Sequence, residues 1–139
     1  MSKEIKFRIW DKDSGYFIKV SDTNKHYLSL NGDIIIIDEM GFIYEMDKEN
    51  YIIDRYTGLK DKNGKEIYEG DIIRLKHHID KRINVVGKVI FLSEQASFGI
   101  IDDLGQEYPL FRNTTEQIEI IGNIYENLEL LEGKDDKER

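Results

Sequence analysis

Cysteine is absent from the 139 residues, which excludes disulfides, thiolate metal sites and cysteine nucleophiles together. Proline occurs once, as Pro109, so turns fall to the eleven glycines and to Asn and Asp. The longest aliphatic run, Ile34–Ile37, is far too short to cross a bilayer. The opening MSKEIKFRIWD has no apolar stretch of the kind a secretory signal needs. A soluble cytoplasmic protein without membrane contact is expected. Positive charge is also scarce: 20 Lys and Arg face 28 Asp and Glu, for a net charge of −8. That balance argues against broad, charge-driven nucleic-acid binding. One stretch departs from it. Arg74, Lys76, Lys81, Arg82 and Lys88 stand there against the single acid Asp80.

Catalytic and ligand-binding patterns are missing as well. Ser, His and Asp occur without a nucleophile elbow. With 28 acids, proximity of two carboxylates carries no weight for acid–base chemistry. Gly58, Gly64 and Gly70 lie six apart between strand-like segments and open no helix, so they form no phosphate loop. His77-His78-x-Asp80 offers three ligand types, but neighbouring strand residues point to opposite sides and the spacing fits no zinc site. Asp11-x-Asp13 and Asp61-x-Asn63-Gly64 lack the Gly and Glu that a calcium loop places sixth and twelfth. No enzyme, no metal and no cofactor is expected.

What the chain has in quantity is strand and turn. Ile5, Phe7 and Ile9 alternate with Lys6 and Arg8, the period of a half-buried strand. Residues 11–15 read as a turn and 16–20 as the returning strand. Asn31-Gly32 marks a hairpin between residues 26–30 and 33–38. Ile34–Ile37 is apolar on both faces, so cover on both sides is expected. Residues 42–46 and 51–56 are further strands, with a helical turn available at 46–50. Most of the aromatics Trp10, Tyr16, Phe17, Tyr27 and Tyr44 suit a core. Trp10 falls on the Lys6–Arg8 side of the alternation, which marks it as an anchor for an oligomer or domain interface.

Turn signals are densest over residues 56–71, YTGLKDKNGKEIYEGD. Gly58 marks one turn, and Asn63-Gly64 a second between Leu59 and Ile67. Gly70 is expected at positive φ, with Asp71 accepting nearby backbone N–H groups to lock the bend into a strand at 72–76. Strands follow at 85–92, 97–102, 107–111 and 117–121, with a turn at 103–105. Ile124, Leu128 and Leu131 recur at helical spacing and predict a short helix, stopped by Gly133. No internal repeat is read. The chain divides into a β-rich part at 1–55, a second β part at 56–133 and a charged, frayed tail at 134–139.

YTGLKDKNGKEIYEGDII at 56–73 and IIGNIYENLELL at 120–131, with KFRIWD at 6–11, resemble the YopX family of small phage and prophage proteins. Leu128 stands where that family more often has proline, and Ile9 where alanine is frequent. Residues 21–50 match little of it. The resemblance implies a mainly β fold with a C-terminal SH3-like small barrel and a β-rich N-terminal part. It also implies self-association and a phage or prophage origin, hence the cytoplasm of a bacterial host. It supplies no reaction and carries no functional residue across. The expected function is a non-catalytic oligomeric protein-interaction module that engages a host or phage protein. The alternative is a nucleic-acid-associated factor that uses the small barrel and the basic 74–88 loop.

Overall fold

The computed structural model describes residues 6–18, 25–29, 33–76, 80, 82 and 84–132. The protein is mainly β: among those residues it forms twelve strands, all paired antiparallel where register is defined, and four 3-10 turns. Contacts group Arg8–Asp54 as one unit; Arg55 onward, with Lys6 and Phe7, forms a larger one. The Asn31-Gly32 turn, His77, His78, Lys81, Gly133 and the 134–139 tail lie outside the described residues.

In the smaller unit β1 (Phe7–Asp11) folds back on β2 (Tyr16–Phe17), pairing Trp10 with Phe17 and Asp11 with Tyr16. The alternation of Ile5, Phe7 and Ile9 predicts the wrong covered face. Phe7 is 41% exposed, whereas Trp10 is 8% exposed. Arg8 shares the Trp10 side because it has partners there. Its Nε donates to Asp54 at 3.2 Å, and its guanidinium lies 4.4 Å from the Phe17 ring centre. A paired charge tolerates burial that a lone one does not.

A second sheet runs β3 (Lys25–Leu28), β4 (Ile34–Ile37) and β5 (Ile43–Glu45), with β4 in the middle. Ile34 is buried, but Ile35, Ile36 and Ile37 are only half-buried. The two-sided cover expected for this run is therefore incomplete. A 3-10 turn at Lys48–Asn50, whose Glu49 N–H donates to the Asp47 side chain, leads into β6 (Tyr51–Lys60).

In the larger unit the second half of β6 pairs with β7 (Glu66–Tyr68), setting Tyr56 opposite Tyr68 and Lys60 opposite Glu66. The main sheet contains β8 (Asp71–Lys76), β9 (Asn84–Leu92), β10 (Ser97–Ile101), β11 (Glu107–Pro109) and β12 (Ile118–Asn123). Its order is β11-β10-β9-β8-β12. Ile67, Ile73, Leu75, Val89, Ile100, Leu110 and Ile118 form the core against it. This curled five-stranded sheet is what stands at the place of the expected small barrel.

The helix expected at 124–131 is a correction: only a 3-10 turn at Leu128–Leu131 forms. The Asn123 side chain accepts from the N–H groups of Tyr125 and Glu126, and Asn127 Oδ1 accepts from Asn123 N. These local bonds compete with a helical turn. Leu128 is 55% exposed, so the apolar spacing buys no buried face.

Between β9 and β10, Ala96 adopts φ +51°, the left-handed region that costs a side chain about 1–2 kcal/mol. Ala96→Gly is expected to raise stability by about 0.5–1 kcal/mol. Urea unfolding checks it, and a lower midpoint would refute it.

Candidate functional site

The turn-rich segment is built around Asp61. This carboxylate is 1% exposed and accepts three backbone N–H groups: Asn63 at 2.9 Å and Lys65 at 3.0 Å on Oδ1, Ile120 at 3.0 Å on Oδ2. Burial pushes its pKa up, but the N–H groups of Ile120, Lys65 and Asn63 outweigh that and hold it below the ordinary value. Gly64 takes φ +81°, while Asn63 keeps an ordinary negative φ, so this is not the two-residue turn with both centres positive. Gly58 takes φ +87°; beside it Thr57 Oγ1 donates to Ile67 O at 2.8 Å. Gly70, at φ +86°, donates to Val89 O and accepts from Ile124 N. Asp71 Oδ2 accepts from Tyr68 N at 2.8 Å and is buried. These residues spend their polar atoms on the backbone.

The same grammar recurs, although no repeat is legible at first reading. Asp38, Asp61 and Asp102 each accept from the N–H groups two and four residues on. Each also accepts on its backbone oxygen from a glycine three residues on, Gly41, Gly64 and Gly105, all at positive φ. In two of the three, a tyrosine six residues on donates its hydroxyl to the same carboxylate, Tyr44 to Asp38 and Tyr108 to Asp102, both at 3.2 Å. The carboxylates keep both phenols above their ordinary pKa, Tyr44 chiefly through the charge of Asp38 and Tyr108 chiefly through burial with Asp102 added. The sequence signal was Asp-x-x-Gly-x-x-Tyr. The residue before each glycine projects from the turn: Met40 is 77% exposed and Leu104 87%.

The basic residues are only partly assembled. Pairing of Ile72 with Lys88, Arg74 with Val86 and Lys76 with Asn84 sets Arg74, Lys76 and Lys88 on one face of β8–β9. Glu119 sits opposite Arg74 and accepts from it at 2.8 Å, and Lys62 Nζ lies 3.6 Å from the same carboxylate. Arg82 is bound bidentately by Asp80. Two of the named cations are thus met by acids of the chain itself.

A cluster that the sequence did not single out surrounds Arg55. Glu69 accepts from its Nε and Nη2, and the guanidinium lies 5.0 Å from the Phe91 and 5.4 Å from the Phe98 ring centres. Burial raises the Glu69 pKa, yet the Arg55 side chain and N–H win and hold it low. Among the described residues no group of three His, Asp or Glu is placed to hold a metal ion. Among the described residues no helix is long and apolar enough to cross a membrane.

Large apolar groups are exposed most densely in the smaller unit. Tyr27, Met40, Phe42, Ile43 and Tyr44 are 49–77% exposed. Trp10 is not among them: its ring meets Phe17 edge-on at 4.9 Å, and 8% exposure leaves little area to offer a second copy.

A family described as YopX protein matches residues 6–132. Among solved structures, protein yopX from Bacillus subtilis is 21% identical, with TM-score 0.61 over 90% of this chain and 96% of that one. Protein EF1440 from Enterococcus faecalis is 25% identical, with TM-score 0.57 over 94% of this chain and 99% of that one. No curated protein matches.

Proposed function

Because the chain belongs to the YopX family, we propose that it is a non-catalytic, self-associating interaction module. It is encoded by a phage or prophage, works in the bacterial cytoplasm and engages a host or phage protein. The observation that carries this reading is the exposure of Tyr27, Met40, Phe42, Ile43 and Tyr44, each about half or more exposed within one small unit and spread over both faces of its sheet. A concentration of exposed large apolar groups in so small a unit suits protein contacts. Leu104, Phe111 and Leu128 expose a second set on the larger unit, at 87%, 66% and 55%. Two separate apolar sets suit a protein that meets its own kind and a partner.

Light scattering tests self-association. A mass of at least two chains is expected at about 50 µM, falling when Leu104 and Phe111 become Lys; a monomer at every concentration would sink it. Affinity capture from phage-induced cells, with denatured protein as the control, tests partner engagement.

The shared face of Arg74, Lys76 and Lys88 favours a second reading, nucleic-acid association. Glu119 and Asp80 weigh against it by occupying Arg74 and Arg82. A gel shift at low salt decides. Retardation that falls steeply with salt, and disappears when Arg74, Lys76 and Arg82 become Glu, would put this reading first.

A further inference from the structure

β5 is the outer strand of its sheet among the described residues, and its edge is open in a specific way. The bonds from Asp38 N to Phe42 O and from Met46 N to Ile34 O fix which peptide groups face β4. By the antiparallel alternation, the N–H and C=O groups of Ile43 and Glu45 then face away from it. Exposed edges are ordinarily guarded by lysine, proline or a bulge. β5 reads Ile-Tyr-Glu and carries no lysine, proline or bulge; its shortness and the charge of Glu45 are its guards, and all three residues are exposed. Its register with β4 and β3 continues an aliphatic face of Ile43 beside Ile37, and of Ile35 beside Tyr27.

The charge around this edge has one sign. Residues 38–49 carry Asp38, Glu39, Glu45, Asp47 and Glu49 against Lys48, and Lys48 is held 2.6 Å from Asp33. A second copy pairing β5 to β5 would bring two stretches of the same net sign together, a like-charge cost. A basic strand meets the same rim favourably.

We infer that β5 is a strand-addition site for an extended segment of a partner protein that places a basic and an apolar residue two apart, on one face of the added strand. The partner's backbone closes the outward groups of Ile43 and Glu45. Its apolar side chain extends the face of Ile35, Ile37 and Ile43, and a Lys or Arg two residues along on that same face meets Glu45, in a stretch that also carries Glu39 and Glu49. This deepens the interaction-module reading and rests on it.

The test is fluorescence anisotropy with a labelled octapeptide of repeating Lys-Ser-Val-Ser, which sets Lys and Val on one face, against a counterpart with Glu in place of Lys. The full-length protein is expected to prefer the Lys peptide by at least about tenfold. Ile43→Pro removes one outward N–H and leaves the bonds to β4, so it should weaken binding about tenfold with the circular dichroism spectrum unchanged. Should that variant misfold, Glu45→Lys with Glu49→Lys leaves the backbone alone and should abolish the preference. Equal binding of both peptides, or no loss in either variant, overturns the inference. So does light scattering in which Ile43→Pro halves the mass, since a second copy would then hold the edge. If wild type and Ile43→Pro capture the same cellular partner while the Lys peptide is refused, this inference falls and the interaction module stands.

Discussion

Asp61→Ala is expected to lower the unfolding free energy by about 3 kcal/mol, or about 10 °C in melting temperature. One buried carboxylate satisfies Asn63, Lys65 and Ile120, and alanine leaves all three N–H groups without it. Each abandoned buried donor costs about 1–3 kcal/mol, less where water reaches the turn. Asp61→Asn separates the two roles. It keeps an acceptor for the turn but presents a donor to Ile120 N, so a loss of about 1–2 kcal/mol is expected. Urea unfolding of the three proteins checks the order, and equal midpoints would refute it.

The same carboxylate sets a pH dependence. Its folded pKa is depressed below the unfolded value of about 3.9. Its contribution is therefore fully present above that value and lost as pH falls through the folded pKa. The stability gap between wild type and Asp61→Asn should be flat at neutral pH and close below about pH 4. Glu69, held low against burial by Arg55, and Glu66, held low by Lys6, add acid sensitivity of the same sign.

Gly87→Ala is the second large effect, expected at about 2–3 kcal/mol. A Cβ there would stand 2.6 Å from Ile101 O, 2.9 Å from its carbonyl carbon and 3.3 Å from Asp102 N. All three are backbone atoms of the neighbouring strand and its exit, so β10 itself must move. Gly122→Ala is the comparison: its close neighbours are Asn127 atoms, Cβ at 2.8 Å among them, so Asn127 must shift and loosen its bond to Asn123 N, while β10 is not touched. Faster amide exchange along β10 in Gly87→Ala, with a smaller change in Gly122→Ala, is the expected pattern. Equal exchange along β10 in both would refute it.

Strands and turns were legible because their signals are local. The Gly70–Asp71 bend and the turn at residues 103–105 follow from what glycine and aspartate do to their own backbone. Faces were not legible, because they depend on distant partners. Arg8 lies on the covered side of β1 only through Asp54, 46 residues away. Counting apolar residues therefore favoured Phe7 and Ile9. The helical spacing of Ile124, Leu128 and Leu131 was real but lost to the side-chain bonds of Asn123 and Asn127. The β5 edge was hidden for a similar reason. Four isoleucines predict a strand covered on both sides, and only a register shows which side lacks cover. The recurrent Asp-x-x-Gly turn was in plain view, but it repeats every few dozen residues with little else in common.

β12 is made last, yet it lies against β8, with Arg74 and Glu119 bonded across 45 residues. On the ribosome, β8 must therefore wait with one flank bare while everything between is translated. Asp61 holds an unfilled lone pair through the same interval. A nascent chain released before Ile118 would keep Ile73 and Leu75 beside a raw flank, inviting aggregation, so the sheet cannot close until β12 has been translated.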